Sequence, residues 1–503
     1  MFDTFMGMGQ GFLVALSPEN LYYCFLGCIL GTIVGVLPGV GPLAGISLLL
    51  PATFGMKPAS ALIMLAGIYY GAMYGGSTTS ILMNIPGEAA SVVTCLDGYQ
   101  MARKGRAGAA LFIAAWGSFI GGNLSVLGIA LLAPALAQFA IQFGPPEMFA
   151  VMVMAMMLVG YVGRGSVLKT MCMVILGLFL GTIGMDTMTG YLRMTYGIKE
   201  LADGIGFIPV AMGLFGISEI LSSTRDTLIR EVLKPKFREL LPNRQELRRS
   251  WGPIGRGSIL GFFLGLLPGA AHIISSFASY ALEKKLARKP EEFGAGRIEG
   301  VAGPETANNA AAGGAMIPFL SLGIPSGPAT AVMMIALLIH GIKPGPLLIQ
   351  ENPEIFWGLI CSMYIGNLML IILNVPLVGI FVNLLRVPFR LLFPIILLIC
   401  LVGVYSVNAS PTELWIMLGS GVVGFFMRRF QFDAAPLVLA LIIGPMMELS
   451  FRQSLMMMGG NPTVFVHSPI ATVLLVGAGL IGLGSGVKFL FMGRRPKVPT
   501  EGG

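Results

Sequence analysis

Charged residues are scarce in this sequence. Only 11% of its 503 residues are Asp, Glu, Lys or Arg, whereas an ordinary soluble domain carries roughly 25%. Hydrophobic residues make up 55% of the chain, and the mean hydropathy is +0.82. So few charges cannot cover the surface of a soluble protein of this length, and the composition therefore excludes that class.

Residues that bind metals or perform catalysis are also few. The chain has three histidines, and its six cysteines lie in or beside apolar segments without metal-ligand spacing. It contains no G-x-x-x-x-G-K-[ST] phosphate loop and no His-Glu-x-x-His motif, which argues against ATP hydrolysis and zinc proteolysis. We expect no catalytic residues, no structural metal and no cofactor. No basic face with base-reading chemistry is visible, so nucleic acid is not an expected partner.

Long apolar runs are what the sequence has instead. A spanning helix needs about 20 residues, and the runs suffice for about a dozen transmembrane segments, some of half length. The 69 glycines and 32 methionines suit close helix packing and adaptable contacts. The sequence thus predicts an all-α polytopic membrane protein in a lipid bilayer.

A helix-breaking motif occurs twice inside these apolar runs. GTIVGVLPGVGP at 31–42 returns in the second half of the chain as GFFLGLLPGAAH at 261–272. Proline removes a backbone donor, and glycine permits the bend that follows. Freed backbone groups are costly in lipid, and paired interruptions in two halves of a chain indicate the substrate site of a secondary transporter. Pro38, Gly39, Gly41, Pro268 and Gly269 are therefore candidate substrate-binding residues.

A polar, glycine-rich segment follows each break. The segment 67–87 ends in Asn84-Ile85-Pro86-Gly87, and the segment 303–331 contains the matching Gly323-Ile324-Pro325-Ser326. Helix N-termini suit carboxylates, and carbonyl, hydroxyl and amide oxygens suit a small hard cation. An alternative is that the hydroxyls bond to their own helix and the glycines only allow tight packing. The further substrate-binding candidates are Ser77, Thr78, Thr79, Asn84, Pro86, Gly87, Asn308, Asn309, Pro325 and Ser326. The ion-coupling candidates are Gly76, Ser80, Glu305, Thr306 and Gly323.

Several acidic residues lie in or beside the apolar segments, where a central charge costs about 2.5–3.5 kcal/mol on insertion scales. They are Glu88, Asp97, Glu219, Glu305 and Glu448. Glu88 and Glu305 flank the two polar tips and could bind a cation or carry a proton. An interfacial position is an equal alternative for each of them. His272, which follows the second break, is a weak candidate for pH coupling.

Loop charges predict how the two halves are oriented. The loop with Arg103, Lys104 and Arg106 is basic, whereas the corresponding 340–355 loop has Glu351 and Glu354 against one lysine. Such reversals predict an inverted repeat, with the N-terminus outside and the C-terminus inside. The expected organisation is a first repeat at 1–222, a basic cytoplasmic connector at 223–256, a second repeat at 257–450, and a C-terminal helix and tail at 451–503.

Three stretches together resemble the TctA family, the large membrane subunit of the tripartite tricarboxylate transporters. They are 31–42, YGGSTTSILMNIPGEAASVVTCLDGYQMARKG at 74–105 and PETANNAAAGGAMIPFLSLGIPSGPATA at 304–331. The resemblance implies a permease of the bacterial inner membrane, working with a small membrane subunit (TctB) and a periplasmic solute-binding protein (TctC). It implies uptake of citrate or another carboxylate, driven by a gradient of Na+ or H+. The sequence Ala270-Ala271-His272 departs from the first-half motif, so the two breaks are not chemically equal.

These observations favour a secondary transporter that moves its substrate by alternating access, with an elevator-like shift of the tip-bearing domain. A possible homodimer of the membrane complex is compatible with them. The alternative is a channel for small anions built on polar re-entrant loops. An intramembrane enzyme is disfavoured, because no segment pairs a serine with a histidine or carries a paired aspartate motif.

Overall fold

Helices form nearly all of the regular structure of this protein. The computed structural model describes residues 2–37, 41–162, 167–186, 188–218, 221, 241–267, 271–384, 394, 397–398, 400–402, 404–405 and 410–492. Pro38, Gly39, Pro268, Gly269 and Glu219, which the sequence singled out, lie outside these described residues. In the described part the strands are β1 (Gly184–Met185) and β2 (Leu192–Arg193), which pair antiparallel with Gly184 opposite Arg193.

The helices before the basic segment are α1 (Phe2–Ala15), α2 (Pro18–Val36), α3 (Gly41–Leu49), α4 (Pro58–Met83), α5 (Val92–Met101), α6 (Ala107–Ala140), α7 (Pro145–Val162), α8 (Val167–Gly181) and α9 (Phe207–Ala211). A π-helical turn, Ala102–Arg106, joins α5 to α6, and Gly105 within it has a φ of 77°. That left-handed conformation favours glycine.

The helices after the basic segment are α10 (Arg244–Gly265), α11 (Ala271–Leu286), α12 (Glu299–Gly314), α13 (Pro328–Ile339), α14 (Leu348–Glu351), α15 (Pro353–Asn374), α16 (Val378–Leu384), α17 (Pro411–Arg429), α18 (Ala435–Met457), α19 (Val464–His467) and α20 (Pro469–Met492). Asn243 caps α10, since its side chain accepts from the Glu246 N–H while the Glu246 carboxylate accepts from the Asn243 N–H. The helix therefore starts inside the segment 223–256 that was predicted as a connector, and it continues into the second half.

Glycines bring α2 and α4 into backbone contact. Gly27, Gly31 and Gly35 face α4 at four-residue intervals. A Cβ atom on any of them would lie 2.2–2.6 Å from a main-chain oxygen of α4, closer than any side chain can approach. The apolar run at 18–36 therefore carries a packing face that admits only glycine.

The same contact recurs between α10 and α12 in the second half. Gly257, Gly261 and Gly265 occupy the positions of the repeated sequence that correspond to the three glycines of α2. A Cβ atom on any of them would lie 2.2–2.6 Å from a main-chain oxygen of α12. The sequence repeat is thus also a repeat of helix packing. The inverted orientation of the two halves stays a prediction.

Four helical stretches in the described part are long and apolar enough to cross a membrane: Pro18–Val36, Val92–Ala140, Pro353–Asn374 and Pro436–Met457. Shorter apolar helices accompany them, among them Pro145–Leu158 and Pro328–Ile339. An all-α membrane protein agrees with this architecture, and the dozen segments stay a prediction. The largest hydrophobic cluster includes side chains of α2, α4, α6, α13 and α15, with Phe319 and Phe356 fully buried in it.

Candidate functional site

Each polar segment contains the same backbone turn. Asn84, directly after α4, has φ 56° and ψ 32°, and Gly323 in the second half has φ 68° and ψ 27°. Both are left-handed, a conformation that glycine and asparagine adopt more readily than other residues. A proline follows at the second position after each of them, Pro86 in the first half and Pro325 in the second. The matched tips that the sequence predicted are therefore matched in local geometry.

Glu305 joins the polar segments of the two halves. It lies on α12 and is 1% exposed. Ser77 of α4 donates to Glu305 Oε2 over 2.5 Å, and Thr94 of α5 donates to Glu305 Oε1. In the described part of the chain, no lysine, arginine or histidine forms an ion pair with this carboxylate. Two hydroxyl groups from the first half thus hold a buried acidic group of the second half.

A second contact between the halves lies beside the first. The side-chain amide of Asn308 donates to Glu88 Oε1 over 2.6 Å, and Glu88 is 5% exposed. Gly76 makes room for this carboxylate, because a Cβ atom at Gly76 would lie 2.8 Å from Glu88 Cγ. Glu88 and Glu305 are therefore both buried inside the protein, and the depth of each in the membrane stays a prediction.

Asn309 faces another helix than its neighbour Asn308 does. Its Nδ2 donates to Ser118 Oγ of α6 over 2.7 Å and to the main-chain oxygen of Glu305 over 3.2 Å. These bonds fix the orientation of the amide, since a main-chain oxygen requires a donor. The two adjacent asparagines therefore bond to different partners, Asn308 to Glu88 and Asn309 to Ser118.

Most other hydroxyls among the candidates bond to main-chain oxygens. Ser80 donates to Gly76, Thr306 to Ala302 and Ser326 to Ala315, over 2.7–2.9 Å. Ser80 and Thr306 thus satisfy their hydroxyls within their own helix, as the structural alternative proposed. Thr78 is buried at 2% exposure.

Thr79 and Gly87 connect the first tip to the first break. Thr79 Oγ1 donates to the main-chain oxygen of Val36, the last residue of α2, over 2.7 Å. A Cβ atom at Gly87 would lie 2.3 Å from the Gly35 oxygen and 2.5 Å from Gly76 Cα. The chain after Asn84 therefore folds back against the end of α2. Gly41, at the other side of the break, is left-handed with φ 66°.

The second tip has different neighbours. A Cβ atom at Gly323 would lie 2.5 Å from the Pro344 oxygen, and Ser321 donates to the Ala133 oxygen over 3.1 Å. Among the described residues, no hydrogen bond joins 84–87 to 323–326. Ser77, Thr94 and Glu88 of the first half instead bond to α12 of the second half.

Asp97 has a role that the sequence left open. It is fully buried, and its Oδ1 accepts from the N–H groups of Gly294, Gly296 and Arg297 over 2.7–3.0 Å. Its Oδ2 accepts from the Tyr280 hydroxyl over 2.9 Å. This carboxylate therefore holds the 294–297 loop in place.

Two residues of the site were not predicted from the sequence. Thr94 and Ser118 are single hydroxyls among apolar neighbours, and nothing in their local sequence marks them as partners of Glu305 and Asn309. Thr94 does lie inside the 74–105 stretch that carries the family resemblance. No group of three or more histidine, cysteine, aspartate or glutamate side chains placed to hold a metal occurs in the part of the chain that the structure describes.

The comparisons with known proteins agree with this architecture. The tripartite tricarboxylate transporter TctA family matches residues 21–439. The chain is 48% identical over 475 residues to an uncharacterized 52.8 kDa protein in the TAR-I ttuC' 3' region of Agrobacterium vitis, covering 94% of this chain and 95% of that protein. It is also 48% identical over 221 residues to an uncharacterized protein in the TAR-II ttuC' 3' region of the same organism, covering 44% of this chain and 91% of that protein. No solved structure matches significantly. The chain is a multi-pass membrane protein and belongs to the tripartite tricarboxylate transporter TctA family.

Proposed function

We propose that this chain is the permease subunit of a binding-protein-dependent secondary transporter that imports a tricarboxylate or a related carboxylate. The main support for the proposal is the pair of hydrogen bonds that Ser77 and Thr94 donate to the Glu305 carboxylate. It joins polar segments from both halves in the protein interior. Buried ionisable groups in membrane proteins mark ion and proton pathways. Glu305 is therefore our candidate for carrying the coupling cation, either Na+ or H+.

Alternating access is the proposed mode of movement. About a dozen transmembrane segments in two inverted repeats would place the broken helices near the bilayer midplane. The reversed loop charges support the inversion, and the recurring glycine contacts of α2 and α10 support the repeat. An elevator-like shift would carry the polar segments with their ligand. The loop charges support an N-terminus in the periplasm and a C-terminus in the cytoplasm.

The substrate site proposed here uses main-chain groups at the breaks and tips. The N-termini of α3 at Gly41 and of α13 just after Ser326 offer N–H groups that suit a carboxylate, and the non-helical backbone at Gly87 adds further main-chain groups. The Asn84 and Asn308 amides add hydrogen-bonding groups. The contribution of Pro38 and Pro268, which lie outside the described residues, is supported by the duplicated sequence motif alone.

Two protein partners complete the proposal. The TctA family is the large subunit of a tripartite system, which implies a small TctB-like membrane subunit and a periplasmic TctC-like solute-binding protein. The bacterial inner membrane is the location that such a system implies. Delivery by the binding protein would set much of the choice of carboxylate.

The decisive experiment is uptake into proteoliposomes that contain both membrane subunits, with the binding protein added outside. Sodium and pH are varied independently against a panel of di- and tricarboxylates. We expect saturable uptake that needs the binding protein and an imposed ion gradient. Uptake that is unsaturable and independent of the binding protein would favour the anion channel instead. Chemical conversion of a substrate by the purified protein would favour an enzyme.

A further inference from the structure

A small internal cavity lies where α4, α6, α12 and α15 meet. Its volume is about 10 Å³, and polar residues of all four helices line it. That volume is about the room of one water molecule. A carboxylate substrate is therefore too large for it, and the cavity is separate from any substrate site at the tips.

Asn309 lines this cavity and has an unused acceptor. The residue is 3% exposed. Its amide nitrogen donates one hydrogen bond to Ser118 Oγ and one to the main-chain oxygen of Glu305. The buried Asn309 Oδ1 has no hydrogen-bond partner. An acceptor left unsatisfied in the interior costs about 1–3 kcal/mol, so a ligand that fills its coordination would be strongly favoured there.

Tyr70 lines the cavity from the other half of the chain. It is 4% exposed, and its buried hydroxyl has no oxygen or nitrogen partner. The neighbouring Cys24 thiol is at most a weak partner. Tyr70 precedes Asn84 by the same interval in sequence by which Asn309 precedes Gly323. The two unsatisfied polar groups therefore occupy corresponding positions of the repeat.

The other polar groups of the cavity add oxygen lone pairs. Ser125 donates its only hydroxyl hydrogen to the Gly122 oxygen over 2.7 Å, so its Oγ can only accept further bonds. Asn367 Oδ1 accepts from the Tyr74 hydroxyl over 3.2 Å. Neutral oxygen ligands of this kind suit a small hard cation. An anion would find too few donors.

We propose that this cavity binds one dehydrated sodium ion through Asn309 Oδ1, Tyr70 Oη, Ser125 Oγ and Asn367 Oδ1. Glu305, one helical turn from Asn309 on α12, supplies a negative charge to offset the ion. The inference rests on the proposed function in one respect, because it identifies Na+ as a coupling cation. The ion would bind at the contact between the two halves and so favour one arrangement of them.

Equilibrium binding to the purified protein in detergent tests the inference without substrate or partners. Radioactive sodium is titrated against the wild-type protein in choline chloride buffer, with potassium as a competitor. Thermal unfolding is followed in parallel. We expect saturable binding, weak competition by potassium, and a melting temperature that rises with sodium because the ion binds the folded state.

Two variants locate the ion. Tyr70→Phe removes one oxygen atom, and Asn309→Leu removes the amide while keeping the volume. Each is expected to weaken sodium binding by about tenfold or more, which corresponds to about 1.4 kcal/mol. Tyr364→Phe is the matched control, because Tyr364 does not line the cavity and its ring stacks on Phe12 of α1. Should Asn309→Leu not fold, Tyr70→Phe still decides.

The possible results are distinct. Sodium binding that is lost in Tyr70→Phe and kept in Tyr364→Phe supports the site. No sodium binding by the wild type, or binding unchanged in both cavity variants, overturns it and leaves the cavity to a water molecule. Normal carboxylate uptake together with either negative result would reject the sodium site alone. Sodium binding without any carboxylate uptake would instead count against the proposed function.

Discussion

Asn84 and Gly323 adopt the same left-handed backbone conformation in corresponding polar segments. One is an asparagine and the other a glycine, the two residue types that best tolerate that conformation. In both halves a proline stands at the second position after the turn residue. The two halves thus keep one tip geometry with different residues.

Substitutions at these two positions should differ in their effect. Asn84→Gly keeps the left-handed turn, so we expect a folded protein with little change in melting temperature. Gly323→Val should lower the melting temperature by several degrees, because the side chain costs about 1–2 kcal/mol in this conformation and its Cβ would lie 2.5 Å from the Pro344 oxygen. Thermal unfolding in detergent measures both.

A control for the valine substitution is Gly9→Val. A Cβ atom at Gly9 has no neighbour within 4 Å, so only helix propensity should be lost there. Equal destabilisation at Gly9 and Gly323 would contradict the strained tip.

Replacing Asn84 by leucine should abolish carboxylate uptake while expression persists, if the tip binds the substrate.

Neutralising Glu305 should impair transport more than folding. Glu305→Gln keeps the size of the side chain but cannot carry a proton or an ion's countercharge. We expect carboxylate uptake to fall by at least about tenfold, because the loss of an interaction worth about 1.4 kcal/mol changes an equilibrium tenfold. The measurement is uptake in the reconstituted system, normalised to folded protein. Glu351→Gln, at an exposed position, is the matched control, and uptake close to wild type in Glu305→Gln would remove this residue from the coupling pathway.

The two hydroxyl donors of Glu305 offer a graded version of that test. Ser77→Ala and Thr94→Val each remove one hydrogen bond to a buried acidic group, worth about 1.5–3 kcal/mol. We expect each variant to change the pH dependence of uptake, and the double variant to change it further. A pH profile identical to that of the wild type in the double variant would show that the hydroxyls do not act through Glu305.

Enlarging a glycine at the backbone contacts should disrupt the fold. Gly31→Leu and Gly261→Leu force side chains into the main chain of α4 or α12, and overpacking alone costs about 1–3 kcal/mol. We expect low yields of monodisperse protein for both, as measured by size-exclusion chromatography. Gly255→Leu is the control on α10, because a Cβ atom at Gly255 meets nothing within 4 Å. Normal behaviour of both contact variants would refute the close backbone contacts of α2 with α4 and of α10 with α12.

Removing the Asp97 carboxylate should destabilise the 294–297 loop. Asp97→Ala removes the acceptor of three N–H groups, one on an exposed residue and two on half-buried residues, and a hydrogen bond to a charged group is worth about 1.5–3 kcal/mol. Asp97→Asn retains one acceptor oxygen and should be intermediate. Limited proteolysis of the loop and thermal unfolding measure the effect. The order alanine, asparagine, wild type in rising stability is expected, and a stable alanine variant that loses only transport would assign Asp97 a functional role.

The hairpin between α8 and α9 should respond to acid. The Met188 N–H and the Arg452 guanidinium, which lie 2.9 and 2.7 Å from the Asp186 carboxylate, hold its pKa well below the usual range. A lowered folded-state pKa stabilises the protein above the unfolded value of about 3.9, and this contribution is lost as pH falls further. We expect a constant stability near neutral pH and a decline below about pH 4. Asp186→Asn should flatten that decline, and an unchanged pH profile would contradict the ion pair.

Much of this architecture follows from the sequence alone. Composition selects a helical membrane protein, because so few charges leave no soluble alternative. The abundant glycines indicate close helix packing, but the helix that Gly27, Gly31 and Gly35 contact, and the one that their repeats contact, are known only from the structure. Asn84 and Gly323 mark the two tips, because backbone conformation at a turn depends on the residue that occupies it. The apolar helices and the two tip turns are local features, because they depend on the residue types that occupy those positions.

The pairing of side chains was decided by the tertiary structure. Glu305 takes its partners from Ser77 and Thr94, which lie in the other half of the chain, and nothing near those residues indicates the contact. The Asp97 carboxylate accepts hydrogen bonds from the 294–297 loop. Asn309 Oδ1 lies beside a cavity without a hydrogen-bond partner. Such outcomes depend on how helices from both halves pack, since a side chain's partners are set by the surface that another helix presents to it.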